Sequence, residues 1–484
     1  MAVEELELAM KPTVVLYPMS GNGHLLPMVE LAKLFLRHNF AVAVVLMQFP
    51  IKHPSLESFI ACVSAAHRSI SFHQLPPPDS DDSFTAGVSA SLPSIPMMLD
   101  SVRRNNHELL RFLAAYRLEN DVRAVVLDFL CTDALDVVVA AELGIPAYFF
   151  FPTCASALGS LLYFPSLEFT DLGLGELADT PIHFPGLPPI PASDMLSREV
   201  INCALESYES SIKKIARRIP DGHAILINSF ESLEAEAVKA LREGACLPGR
   251  RMPNVYCIGP LIMEGSRGKD ETKAKCMAWL DAQPRDSVLF LCFGSMGSFS
   301  VEQLKKMAVG LERSRQRFLW VVRAPKDPPT PTSELDLDVL LPEGFSERTK
   351  HRGMVAKSWA PQVEVLNHES VGCFVSHCGW NSTLEAISAG VAIVAWPLYA
   401  EQRMNKVFLV EQMKLAVVMD GYDKEMVEAE EVEAKVRWVM ESEGGRELRR
   451  RAAAAKETAA EAWSARGSSQ QAWLEVVRTL EKQI

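Results

Sequence analysis

Short runs of β-branched and aromatic residues alternate with helix-length stretches along the whole chain, and this alternation restricts the fold more than any other feature. A continuous apolar run set between helices is what a strand covered on both faces of a parallel sheet requires. The first half carries such runs at Thr13–Pro18, Phe40–Gln48, Ser69–Leu75, Arg123–Phe129, Pro146–Phe151 and Ala224–Ser229. The second carries them at Ser287–Ser295, Phe318–Ala324, Gly353–Ala360, Val371–Cys378, Val391–Pro397 and Leu415–Asp420. Each half therefore offers about six strands, enough for one doubly wound sheet. The expected fold is α/β, with two Rossmann-like parallel-sheet domains facing each other across a cleft.

The division between the halves is legible. Val255-Tyr-Cys-Ile-Gly-Pro-Leu261 ends a strand, and the Gly-, Lys- and Glu-rich stretch Met263–Lys275 lacks periodicity. The expected domains are 1–258, a linker at 259–275, a second domain at 276–462, and a terminal helix within 463–484 that can return to the first domain. Leu75–Pro96 and Pro325–Asp336 read as Pro-rich surface loops.

Charge narrows the function classes. The 484 residues hold 49 Lys and Arg against 61 Asp and Glu, a net charge of −12. That balance opposes a nucleic-acid or anionic-membrane surface. The most apolar long stretch, Ala124–Phe151, is broken by Asp128, Asp133, Asp136 and Glu142, which rules against membrane insertion. The first residues are acidic where a signal peptide carries bases. With ten scattered cysteines and no CxxC pair, a reducing cytosol is the expected compartment and a monomer the default state.

Chemistry first enters at Met19-Ser-Gly-Asn-Gly-His24, between the first strand and the helical stretch Leu25–Arg37. Glycines at 21 and 23 permit a tight turn. A dinucleotide fingerprint would need Gly where Leu26 stands and an acid ending the second strand, and both are missing. A dehydrogenase on paired Rossmann domains is thereby disfavoured. His24 at the strand–helix turn suits a general base, with an ordinary pKa of about 6.5. The competing reading is a partly buried or helix-capping histidine. Asp128 ends the run Ala124–Leu127 and can orient His24 and stabilise its imidazolium, or merely cap the next helix.

Residues 359–402 read WAPQVEVLNHESVGCFVSHCGWNSTLEAISAGVAIVAWPLYAEQ. This stretch resembles the signature box of the plant secondary-product UDP-glycosyltransferases: Trp-Ala-Pro-Gln, Leu-x-His, His-Cys-Gly-Trp-Asn-Ser-x-x-Glu, Pro, and an acid followed by Gln. Gly-Asn-Gly-His24, Asn228-Ser-Phe-Glu-Ser-Leu-Glu234, Ile258-Gly-Pro-Leu261 and Phe293-Gly-Ser295 resemble family segments in the expected order. The resemblance covers nearly the whole chain. It implies the GT-B fold and inverting, metal-independent transfer of glucose from UDP-glucose to a small phenolic acceptor, with no cofactor.

The resemblance also implies residue roles. Trp359 would stack on uracil, an attraction of about 1–3 kcal/mol for a base on an aromatic ring, with Ala360 and Gln362 holding base and ribose. The competing reading of Trp359 is a core tryptophan. His377, Gly379, Trp380, Asn381 and Ser382, with Ser295, would take the pyrophosphate at a helix start, whose free N–H groups favour anions. Glu385 would bind ribose hydroxyls, although Ser382-x-x-Glu385 also fits a capping box. Tyr399, Glu401 and Gln402 would contact the sugar, the final Gln leaning toward glucose; a solvated helix start is the alternative. Gly23, Phe149, Phe150 and Thr153 are the candidates for the acceptor pocket, with Leu75–Pro96 and Pro185–Met195 beside it.

The chain departs from the pattern twice. Gly390-Val391-Ala392 lacks the usual Pro, and Pro152-Thr153 shifts a threonine that in the family helps hold the sugar. His368, Cys373, His377 and Cys378 lack a familiar zinc spacing, so no metal is expected. Transfer through carbon or nitrogen, and a catalytically silent UDP-sugar-binding relative, remain as alternatives.

Overall fold

The computed structural model describes residues 11–49, 54–77, 94–139, 143–167, 177, 179–195, 205–263, 270–325 and 335–482. The Leu75–Pro96 and Pro325–Asp336 loops lie largely outside these residues.

The first domain is a seven-stranded parallel sheet. Its strands are β1 (Pro12–Tyr17), β2 (Ala41–Leu46), β3 (Ile70–Gln74), β4 (Asp121–Asp128), β5 (Ala147–Phe151), β8 (Ala224–Ile227) and β9 (Asn254–Cys257). They lie in the order β3-β2-β1-β4-β5-β8-β9. A small antiparallel pair, β6 (Pro181–Ile182) and β7 (Ile190–Pro191), stands apart. The second domain is a six-stranded parallel sheet of β10 (Val288–Cys292), β11 (Arg317–Val322), β12 (Gly353–Lys357), β13 (Val371–Ser376), β14 (Ala392–Ala395) and β15 (Ala416–Val418). Its order is β12-β11-β10-β13-β14-β15. Central strands such as Val288–Cys292 are buried at every position, because helices cover both faces.

Most strands stop short of their apolar runs, and at two of them a left-handed residue follows. β12 ends at Lys357, since Ser358 turns to φ 64°, and β13 ends at Ser376, two residues before Cys378 at φ 65°. A left-handed residue breaks the ladder whatever its hydrophobicity. The runs are thereby cut where the chain must leave the sheet and enter the cleft.

The helix Asp270–Asp281 takes up the C-terminal part of the expected linker. The final helix, Ser468–Glu481, lies against the first sheet. Trp473 packs edge-on to Phe35 at 4.7 Å, and Ser469 donates to the Gly259 carbonyl at 2.6 Å. Such an aromatic pair contributes about 0.5–1.5 kcal/mol beyond its buried area. The largest apolar cluster runs unbroken from Phe149 and Leu158 of the first domain to Trp380 and Phe408 of the second. The carboxyl ends of β1, β4, β10 and β13 consequently open on one cleft, the place where such sheets bind ligands.

Candidate active site

Parallel pairing of β1 with β4 sets Tyr17 beside Leu127, so the residues leaving both strands arrive together. Gly21, at φ 119°, makes the turn that starts the helix Asn22–Arg37, and His24 falls in its first turn. Its Nδ1–H donates to Asp128 Oδ2 at 2.8 Å. Asp128 is fully buried, and its Oδ1 accepts the Leu130 amide at 3.0 Å. Both carboxylate oxygens are engaged, which fixes the imidazole and leaves Nε2 for another partner. The His24 side chain keeps 22% of its surface exposed. Burial alone would depress its pKa. The charge and hydrogen bond of Asp128, aided by Glu401, outweigh burial and raise it above the usual histidine value. Phe129 stacks on the His24 ring at 5.9 Å. It went unselected in the sequence, although its place one residue past Asp128 was the available signal.

Across the cleft the helix Trp380–Ala389 begins at Gly379 with no side-chain cap. Its first-turn amides therefore remain free to meet an anion. His377 is buried, and burial lowers its pKa to about 4, so the ring is neutral. Its Nε2 lies in a cradle of two glycines. A Cβ at either Gly294 or Gly379 would approach that nitrogen to 2.5 Å. Ser295 follows Gly294 and is exposed. Asn381 Nδ2 reaches the Gly23 carbonyl at 3.5 Å, joining the two loops that bound the cleft.

Three readings narrow here. The Trp380 side chain is no phosphate ligand: its indole is buried and donates to the Asn228 carbonyl at 2.7 Å, tying the domains together. Only its backbone stands at the helix start. The capping-box reading of Glu385 also fails, because the helix begins at Gly379 and Ser382 lies inside it. Instead Gln362 Nε2 donates to both Ser382 Oγ at 2.8 Å and Glu385 Oε2 at 2.6 Å. Trp359 follows the left-handed Ser358 and is half-buried beside buried Ala360, so its indole is not a core residue.

Glu401 and Gln402 open the helix Gln402–Val407. Gln402 Oε1 accepts the amides of Leu398 at 2.9 Å and Tyr399 at 3.0 Å, which orients its amide nitrogen. Tyr399 lies beside His377 at 6.1 Å. Asn405, fully buried, donates to the Cys378 carbonyl at 3.0 Å and to Glu401 Oε1 at 3.4 Å. No sequence signal singled it out.

Phe149 and Phe150 are corrected as acceptor-pocket residues. Both lie within β5 with no exposed surface, one on each face of a sheet covered on both sides. Thr153, just past that strand, is buried with its hydroxyl unpartnered. His368, Cys373 and Cys378 point apart: His368 bonds Ser370 and Asp281, while the two thiols face the Ala392 and Ser376 carbonyls.

A family model described as "UDP-glucoronosyl and UDP-glucosyl transferase" matches residues 208–451. The chain is also 41% identical over 451 residues to an anthocyanidin 5,3-O-glucosyltransferase from Rosa hybrid cultivar, covering 90% of this chain and 92% of that protein. This chain belongs to the plant UDP-glycosyltransferase family. The transferase is also 40% identical over 496 residues to isoflavone 7-O-glucosyltransferase 1 of Glycine max, with 98% and 100% covered. It superposes on a UDP-glucosyltransferase from Polygonum tinctorium capable of glucosylating indoxyl, with TM-score 0.86, 36% identity and coverage of 98% and 99%. The two facing sheets are thus the GT-B fold of a glycosyltransferase. Among the described residues, no helix of the transferase is long and apolar enough to cross a membrane.

Proposed function

We propose that the transferase moves glucose from UDP-glucose to a hydroxyl of a small phenolic acceptor, with inversion and without a metal ion, giving a β-glucoside. The observation that carries this reading is the His24–Asp128 pair, held at 2.8 Å and facing an uncapped helix start across the cleft. His24 Nε2 takes the acceptor proton while buried Asp128 stabilises the imidazolium. The freed oxygen attacks the anomeric carbon from the face opposite the UDP. The bond to UDP breaks, and the free amides at Trp380–Ser382 stabilise charge on the departing diphosphate. Uracil rests on Trp359, and Glu385, linked to Gln362, receives the ribose hydroxyls.

Two features support a phenol and a glucose. A base raised above the ordinary histidine value approaches the pKa of a phenol, about 10, more closely than that of an aliphatic alcohol. Gln402 spends its oxygen on two backbone amides, so its amide nitrogen is the end offered to a sugar oxygen, and Glu401 supplies the adjacent acceptor. The relatives named for anthocyanidin and isoflavone glucosylation agree with that chemistry.

The test is UDP release from UDP-glucose with a panel of flavonoids, chalcones and simple phenols, comparing wild type with His24→Ala. A β-glucoside formed by the wild type and lost in the variant is the expected result. Full turnover in the variant would remove His24 from the mechanism. Wild-type binding of UDP-glucose with no product across the panel would remove the phenolic acceptor.

A further inference from the structure

The helix Gln402–Val407 belongs to the second domain by chain order, yet the first domain holds it. Arg403 Nη1 donates to the Ser193 carbonyl at 2.7 Å. Lys406 Nζ donates to Asp194 Oδ2 at 2.5 Å, and Tyr422 O–H donates to Asp194 Oδ1 at 3.0 Å. Asp194, from the short helix Ala192–Met195, is 6% exposed and Lys406 8% exposed. Both oxygens of a buried first-domain carboxylate are therefore occupied by second-domain donors. The Arg403 guanidinium and the Lys406 ammonium lie 5.6 and 5.2 Å from the Tyr422 ring centre. Burial, then the charge of Asp194, pushes the Tyr422 phenol well up, so it stays a donor.

The same helix carries the residues proposed to hold the sugar. Lys406 stands one turn beyond Gln402, and Asn405 bonds both Glu401 and the Cys378 peptide. A helix this short moves as one piece. Any shift at Lys406 thus reaches Glu401 and Gln402, while His24 stays on the first domain.

We infer that Asp194 is a positioning residue for glycosyl transfer: its buried contacts with Lys406 and Tyr422 set where Glu401 and Gln402 stand relative to His24. This rests on the reading of Glu401 and Gln402 as the sugar-holding pair. Transfer needs the anomeric carbon and the activated oxygen in line, and a misplacement of about 1 Å can cost a hundredfold in rate. A charged pair with both carboxylate oxygens bonded fixes a distance and a direction that apolar packing leaves loose.

The experiment uses the full chain and Asp194→Asn, Lys406→Met, Tyr422→Phe and the double variant Asp194→Asn/Lys406→Met. Calorimetry gives Kd for UDP and for UDP-glucose, and steady-state assays give kcat and KM with a phenolic acceptor. UDP affinity should fall less than UDP-glucose affinity, because the clamped helix reaches the phosphate loop only through Asn405 at the Cys378 carbonyl, whereas it carries Glu401 and Gln402 directly. kcat should fall about ten- to a hundredfold in each charge variant, and the ratio of the two Kd values should change. Tyr422→Phe should move both in the same direction by less, and it carries the test if Asp194→Asn does not fold. The double variant should lose less than the product of the single losses. Unchanged kcat and Kd ratio in a folded variant would overturn the inference. So would equal losses of UDP and UDP-glucose affinity that follow a lowered Tm, the pattern of a merely structural bond. The Kd ratio is read without acceptor, so a failed acceptor panel rejects the phenolic reading and leaves this test standing.

Discussion

The indole N–H of Trp380 donates across the domain boundary to the Asn228 carbonyl at 2.7 Å, with the tryptophan 3% exposed. The helix whose uncapped start is proposed to meet the diphosphate is thereby hung from the first domain by its own first residue. Trp380→Phe keeps an aromatic ring at the position and removes the donor, leaving a buried carbonyl short of a partner. The expected loss is about 1–3 kcal/mol of stability, read as a lowered midpoint in chemical denaturation. A change under about 0.5 kcal/mol would mean water replaces the bond at no cost.

Gly379→Ala isolates the glycine cradle. At φ −63° an alanine is unstrained there, yet its Cβ would lie 2.5 Å from His377 Nε2. The ring must move and the space at the helix start shrinks, so affinity for UDP-glucose should drop about tenfold or more while the fold persists, a loss of at least ~1.4 kcal/mol. Because burial holds the His377 pKa at about 4, the affinity of a His24→Ala variant, which removes the other histidine of the cleft, should show no histidine step through the neutral range. Calorimetry across pH checks both, and a step near 6.5 would put a charged His377 in the site.

The strands were readable because buried parallel strands are continuous apolar runs, and Val288–Cys292 or Val371–Ser376 need no alternation to be recognised. Their ends were less so, since the left-handed turns at Ser358 and Cys378 leave no trace in hydrophobicity. His24 and Asp128 were visible as residues past strand ends, but their meeting depends on the β1–β4 register. The same rule explains the error at Phe149 and Phe150: a residue inside a strand covered on both faces goes to the core, and only one past the end, such as Phe129, reaches the cleft. Contacts far apart in the chain, Trp380 with Asn228 and Lys406 with Asp194, had no local signal at all.

Trp473 tests the returning helix. It is fully buried against Phe35, on the face of the first sheet that also carries Tyr256 and Ile258. Trp473→Ala should cost about 3–5 kcal/mol. The damage lies on the first domain, so UDP affinity of the remaining folded protein should be unchanged. Denaturation and calorimetry on the same preparation separate the two, and a normal denaturation midpoint would show the helix to be dispensable.

The pH profile tests the His24–Asp128 pair most directly. A base acts only when neutral, and His24 has its pKa raised, so the acid limb of kcat/KM should have its midpoint above 6.5. Asp128→Asn removes the charge that opposes burial, so that midpoint should fall below the wild-type value. The rate should also drop about 10²- to 10⁴-fold, since the imidazolium loses its counter-charge. Glu401→Gln removes the smallest of the raising contributions and should move the midpoint the same way by less. Stability runs in the opposite sense. The raised pKa stabilises the fold fully below about pH 6.5, and that contribution fades as pH rises through the folded value. In wild type the pH that turns catalysis on thus weakens the His24–Asp128 bond, whereas in Asp128→Asn burial acts unopposed, so the catalytic limb should move to lower pH and the extra stability at low pH should be lost or reversed. A midpoint unchanged by Asp128→Asn would mean that the limb belongs to another group.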